Sequence, residues 1–226
     1  QMCIRDRPQY DATTGELIDL GSLLDPFLNT IPNLSETRSE VGMVIGACLW
    51  TRRALWNELG GFLEFFQSMG EDIYLCCLAR LWGYPVKIIP KSGFWHQVGN
   101  SFGGGKVVNA KLSTSKRRRP LSERNKSHVM VLTYPSLFFL LVYPVHIMLL
   151  LAEGIALSIF KGDWSLWRLI YWESIRSQWR HRRMLRRRRR RIQRRRRISE
   201  KRFLIPFVFI HQKLLMLIKH GMPDIR

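Results

Sequence analysis

The stretch GACLWTRRALWNELGGFLEFFQSMGEDIYLCCLARLWGYPVKIIPKSGFWHQVGNS, from Gly46 to Ser101, decides how this chain is read. It is entered through VGMVIGACLW at 41–50, an apolar run with the length of one buried strand, bounded by charge. Thr51 is expected to cap a helix through Arg52-Arg53-Ala54-Leu55-Trp56, which Gly60-Gly61 stops. From Asp72 to Trp82, residues Ile73, Cys76, Cys77, Ala79 and Leu81 recur at mostly helical spacing, with Gly70 before them and Gly83 after. VKII, between Pro85 and Pro90, reads as a short strand. Strand, helix, acidic turn, helix, strand is an α/β pattern.

On the N-terminal side, residues 8–40 are polar and punctuated by Pro8, Gly15, Gly21, Pro26 and Pro32, which predicts loop with one short hairpin. Gln1–Arg7 have no start-like context, which leaves open whether they are native sequence. On the C-terminal side, the glycines and the Lys116–Arg119 cluster of residues 99–120 suggest a loop leaving the domain. Tyr134 to Phe160 is almost purely apolar and, at 27 residues, exceeds the roughly 20 needed to cross a bilayer. Pro135, Pro144, His146 and Glu153 interrupt it and basic clusters flank both ends, so a kinked re-entrant hairpin or an interfacial helix is expected instead. Trp164, Trp167, Ile170, Tyr171, Ile175 and Trp179 form an amphipathic aromatic pattern suited to lipid headgroups. Phe203–Ile218 is a second apolar stretch.

Charge divides the chain in the same place. Residues 1–100 carry eight Lys/Arg against eleven Asp/Glu, whereas residues 101–226 carry twenty-nine against six. Ten arginines fall within 186–197, among them Arg186, Arg187, Arg194 and Arg195. Phosphates of nucleic acid or of anionic lipid could neutralise such a run. Neighbouring tryptophans and apolar stretches are explained together with it only by lipid, so nucleic acid ranks second. Cys3, Cys48, Cys76 and Cys77 contain no Cys-x-x-Cys pair, which argues against a disulfide scaffold or structural zinc. No secretory signal is visible in residues 1–30, and a reduced, cytosol-facing protein is expected.

Three features could carry chemistry. Glu71-Asp72 opens a helix, where the macrodipole favours an ionised carboxylate able to act as general base. Taken alone, such a pair is more often merely two N-terminal helix acids. His96, after Phe94-Trp95, emerges at a strand end, where a neutral imidazole could bind a divalent metal or simply be hydrogen-bonded structure. The glycines of 99–105, with Ser101, could close over a phosphate or be an ordinary linker.

Order and spacing add to this. Val44-Ile45-Gly46-Ala47, Arg52-Arg53-Ala54-Leu55, Leu59-Gly60-Gly61-Phe62-Leu63-Glu64-Phe65-Phe66, Glu71-Asp72-Ile73-Tyr74-Leu75-Cys76 and Gly83-Tyr84-Pro85-Val86, followed by His96 and Ser101, resemble the C-terminal half of inverting family 2 glycosyltransferases. The nearest likeness is to their membrane-associated, rhamnosyltransferase-like branch. It is strong over about residues 41–106 and general in character to about 202.

The resemblance implies an α/β fold: a partial GT-A domain at 1–110, lacking the N-terminal nucleotide-binding half and its Asp-x-Asp motif. A basic linker at 111–133 and an α-helical, membrane-associated tail at 134–226 would follow. It implies Asp72 as catalytic base with Glu71 assisting, and His96 as ligand to Mg²⁺ or Mn²⁺. Trp95, Gly99, Ser101 and Gly103 would lie in the donor and acceptor loop, and Gly46, Gly60, Gly61 and Glu64 on the acceptor side. The implied partners are a nucleotide-sugar donor, a lipid-linked or cell-surface glycan acceptor, and anionic lipids at the cytoplasmic face of a bacterial inner membrane. The family's second acid after the pair is Tyr74 here, and its Phe-Asp-Glu is Phe62-Leu63-Glu64. These 226 residues alone are expected to bind sugar nucleotide poorly and to show no measurable transfer. The competing reading is a non-catalytic basic protein that binds membrane surfaces or nucleic acid.

Overall fold

The computed structural model describes residues 2–97, 104–108 and 111–225 and is mixed α/β. Short strands come first: β1 (Ile4–Asp6), β2 (Gln9–Asp11), β3 (Leu17–Asp19), β4 (Ser22–Leu24), β5 (Thr30–Pro32) and β6 (Trp50–Thr51). Helices α1 (Arg53–Leu59) and α2 (Glu71–Leu81) follow, then β7 (Val86–Ile88), β8 (Phe94–His96), β9 (Gly104–Val108) and β10 (Lys111–Thr114). The rest is helical: α3 (Arg118–Thr133), α4 (Ser136–Lys161), α5 (Trp164–Leu166), α6 (Glu173–Arg180), α7 (Arg182–Arg194), α8 (Glu200–Leu204) and α9 (Gln212–His220), closed by β11 (Asp224–Ile225). The sheets are small and mixed, in the orders β6-β1-β7, β3-β2-β8, β11-β10-β9 and β4-β5.

Helix α2 organises the core. Gly70, in the left-handed region at φ 84°, turns the chain into it, and Arg80 complements the macrodipole in its last turn. Every residue from Ile73 to Leu81 is buried. A helix apolar all round must be covered on all sides. Val44, Leu55, Val86, Val129, Met130, Leu185, Ile192, Phe203 and Phe207 share its hydrophobic cluster. The buried Arg80 guanidinium lies 4.9 Å from the Phe203 ring and donates to the Phe203 carbonyl, linking α2 to α8.

The structure corrects several expectations. VGMVIGACLW is not one strand: single bridges at Glu40–Lys87 and Met43–Ser22 lead into a 3₁₀ turn at Gly46–Cys48 and then β6. Its apolar residues are buried by packing on several neighbours, not by one continuous ladder; a Cβ at Gly42 would stand 2.9 Å from Leu24 Cγ. Thr51 does not cap α1. Arg52 occupies the boundary without a side-chain bond, and the Thr51 hydroxyl donates to the Cys3 carbonyl at 3.2 Å. Residues 8–40 hold β2–β5 where one hairpin was expected, and Ile4–Asp6 form the middle strand of their sheet. The stretch 111–133, expected as a basic linker, is β10 and α3, whose Val129, Met130 and Leu132 enter the core. The basic tail is therefore packed on the α/β part and not hung from it.

Residues 136–161 form one continuous helix through Pro144, so no re-entrant hairpin is present there. It is the one helix among the described residues long and apolar enough to cross a membrane, with mean hydropathy 2.0.

Gly60 and Gly61 stop α1 as expected, with φ of 81° and 61°. They differ in surroundings. A Cβ at Gly60 meets nothing within 4 Å, whereas at Gly61 it would lie 2.8 Å from the Trp56 indole. Left-handed backbone costs an L-residue roughly 1–2 kcal/mol. Gly60→Ala should therefore cost about that, and Gly61→Ala clearly more because Trp56 must move as well. Denaturant unfolding of the two variants checks this, and equal losses would refute the close approach.

Candidate functional site

The acidic pair stands where α2 begins. Ile73 N–H donates to Asp72 Oδ1 at 2.8 Å, and Gly46 N–H, from the 3₁₀ turn, reaches Oδ2 at 3.3 Å. The Ile73 amide belongs to the buried start of α2, whereas the Gly46 amide comes from a turn that holds no buried residue. The Phe62 ring and Asp72 flank Gly46, where a Cβ would make ordinary contacts at 3.7–4.0 Å. Phe62 itself is exposed, edge-on to Trp56 with ring centroids 5.1 Å apart.

Burial pushes the Asp72 carboxyl above the ordinary aspartate range, while the Ile73 and Gly46 amides and the charge of Arg118 pull the other way. Glu71 is also raised, by burial first and by the negative charge of Asp72 second. Its Oε2 is buried without a hydrogen-bond partner among the described residues. A carboxylate oxygen left unpaired beside a second carboxylate is costly, and such pairs concentrate where a ligand or a proton completes the site.

What holds the pair in place lies in α3, within the stretch expected as a basic linker. The chain from Gln67 to Gly70 is left-handed at Gln67 (φ 61°), Met69 (φ 67°) and Gly70 (φ 84°). Against it sits the fully buried Asn125, its Nδ2 within 2.6–2.9 Å of the carbonyl oxygens of Phe66, Ser68 and Met69. Arg124 Nε donates to Asn125 Oδ1 at 2.9 Å, and its Nη2 reaches the Phe66 carbonyl at 3.2 Å. The one signal for Asn125 was an amide four residues before Val129 on an apolar helical face. A sequence pattern does not reveal the three carbonyls it serves.

His96 lies on another sheet. On β8 it is in register with Asp11 of β2, and its Nδ1 is 2.7 Å from Gln9 Nε2. As oriented, the Gln9 amide donates and the neutral ring keeps its proton on Nε2. Turned over, the amide would accept from Nδ1–H and leave the Nε2 lone pair for a cation. No group of three His, Cys, Asp or Glu side chains converges among the described residues, and no bond there joins His96 to the acidic pair. His96 thus stands apart from the acidic pair, and only with the Gln9 amide turned over does its ring offer a lone pair, one ligand and no more, to a cation.

Of the other expected residues, Trp95 is exposed and packs on Tyr10 with centroids 5.6 Å apart. Gly99, Ser101 and Gly103 lie outside the described residues. Glu64 is exposed in a 3₁₀ turn one step from Phe65 and Phe66, whose carbonyls meet Arg124. Arg186, Arg187 and Arg194 are exposed on α7 and, with Arg183, Arg190, Arg191 and Arg195, line a broad open concavity. Arg195 is not a free cation: it stacks 3.9 Å over Trp82 and pairs with Glu58 at 2.9 Å. The buried thiols of Cys76 and Cys77 are raised by burial and suit packing, not nucleophilic chemistry.

No protein-family model and no curated relative matches this chain.

Proposed function

We propose that this chain supplies the general base and acceptor side of an inverting glycosyltransferase of GT-A type, of family 2 and its rhamnosyltransferase-like branch. The substrates would be a nucleotide sugar, rhamnose being the sugar the resemblance suggests, and a hydroxyl of a lipid-linked or cell-surface glycan. The setting would be the cytoplasmic face of a bacterial inner membrane. The observation that carries the reading is the Asp72 carboxylate held by the Gly46 and Ile73 amides at the start of α2, beside the unpaired Glu71 oxygen.

In this mechanism Asp72 takes the proton of the acceptor hydroxyl as that oxygen attacks the anomeric carbon. The new C–O bond forms as the bond to the diphosphate breaks, and the nucleoside diphosphate leaves with the electron pair. Attack from the opposite face inverts the anomeric centre. Glu71 accepts a hydrogen bond from the acceptor and orients it, and Arg118 keeps positive charge near the base. A bound Mg²⁺ or Mn²⁺ would neutralise charge on the departing diphosphate, with His96 as its protein ligand and Trp95, Gly99, Ser101 and Gly103 beside the donor.

The test is transfer of labelled sugar from nucleotide sugars to lipid extracts by the full product of the gene. The anomeric configuration of the product is to be read by NMR, with and without a chelator. Inverted product that disappears with chelation is expected; retained configuration would exclude a single displacement. The rival non-catalytic reading draws support from the arginines of α7 and requires that substitutions at Asp72 change no turnover.

A further inference from the structure

Helix α4 has two unlike sides. Leu137, Leu141, Met148, Ile155 and Ile159, at spacings of four and seven, form one straight line of exposed apolar side chains, with Met148 at 68% exposure. That line is about 33 Å long at about 1.5 Å per residue. The opposite side, through His146, Leu150, Gly154 and Leu157, is buried. We infer that α4 lies in the plane of the membrane with the Leu137–Ile159 line in the lipid of one leaflet, and does not cross. The inference goes beyond the catalytic reading and stands whether or not Asp72 is a base.

The inner side of α4 decides this. Helix α3 runs antiparallel along α4 as far as Glu153: Tyr134, at the end of α3, packs on Phe138 with centroids 4.7 Å apart, and Ser127 bonds His146 at 2.8 Å. Further along, Arg119 pairs with Glu153 and, just past the end of α4, Lys116 pairs with Asp163 at 3.6 Å. Lys213 of α9 reaches both Glu153 and Glu123, at 2.8 and 2.7 Å. A crossing α4 would carry Arg119, Glu123, Lys126 and Lys213 into hydrocarbon, together with α3, which packs on α2. Lying flat, α4 keeps these charges on the protein side and buries only its outer line. The segment docked on its C-terminal half is tight, since a Cβ at Gly154 would stand 2.6 Å from Tyr171, and it exposes Trp164 and Trp172, aromatics suited to the interfacial layer. The exposed arginines of α7 supply charge complementary to anionic headgroups. An anionic lipid leaflet offers acyl chains to the apolar line and headgroups to this charge.

The experiment uses the full gene product in sealed inside-out membrane vesicles from expressing cells. Single cysteines are placed at the two ends of α4, by Ser136→Cys or Lys161→Cys, with Cys3 and Cys48 changed to serine; Cys76 and Cys77 are fully buried. A membrane-impermeant maleimide should label both ends to the same extent without detergent. Labelling of one end only until detergent is added would overturn the in-plane helix while leaving membrane association intact. A dye at Met148→Cys should be quenched more by nitroxides near the headgroups than at the bilayer centre; the reverse order would also overturn it. Protein recovered entirely in the soluble fraction would refute membrane binding altogether.

Discussion

Replacing Asp72 by Asn in the full gene product should lower kcat/KM by about 10²–10⁴, the usual contribution of a positioned general base. Folding should not suffer in the same way. Burial raises the Asp72 carboxyl in the folded state. An acid whose folded pKa lies above its unfolded value weakens the fold as pH rises from the unfolded value through the folded one. At neutral pH, removing that charge relieves the fold, and the amide oxygen can still accept from Ile73 N–H. Lost turnover with a melting temperature unchanged or raised is therefore the signature of a functional carboxylate. If Asp72 were only an N-terminal helix acid, the same substitution would leave any turnover untouched. Because the base must be ionised, activity should fall as pH drops through a value above the ordinary aspartate range, and the Asn variant should lose that acid limb. Glu71→Gln should cost less and act mainly on KM for the acceptor, since an amide in that place can still hydrogen-bond.

Helix α2 was legible because everything that makes it is local: a glycine that turns left-handed, two acids in the first turn, apolar residues through the helix, and a glycine stop at Gly83. The stop after α1 was legible for the same reason. The run 41–50 misled because its length suits a strand, while its residues pair separately with Ser22, Val86 and Arg5, which are distant in sequence. Arginine density hid the integration of the tail. Leu185 and Ile192, seven residues apart on α7, enter the core, and Arg195 covers Trp82, but ten arginines in twelve positions read as a solvated run. Interruptions in 134–160 suggested a hairpin; α4 tolerates Pro144 and seats His146 against Ser127, a partner nineteen residues away.

Asn125 is expected to be the most sensitive position outside the acidic pair. Its amide nitrogen serves the carbonyls of Phe66, Ser68 and Met69, and the chain it holds has two non-glycine residues in left-handed backbone, Gln67 and Met69. Each costs roughly 1–2 kcal/mol, a strain that persists only while the surroundings enforce it. Asn125→Ala removes the donors and leaves the part-buried Ser68 and Met69 carbonyls without this partner, while Phe66 keeps the Ser68 N–H and Arg124; the cost is about 1–3 kcal/mol for such a group. A loss of about 3 kcal/mol in denaturant unfolding is expected, in line with the mutational cost of breaking a buried network. The released loop leads directly into Glu71 and Asp72, so activity should fall about 10²-fold at temperatures where the variant is still folded, as for a misplacement near 1 Å. Asn125→Asp discriminates further. It keeps the shape, but an ionised carboxylate has no donor for the three carbonyls, and Arg124, already bonded to Oδ1, offsets only part of the repulsion. The Asp variant should be less stable than the Ala variant at neutral pH and should recover as pH falls, because the neutral acid regains one O–H donor. That sign follows from a folded pKa raised above the unfolded one. An Asp variant as stable as wild type at neutral pH would show that the contacts of Asn125 with the loop are incidental, and that the backbone from Gln67 to Gly70 holds the acidic turn by itself.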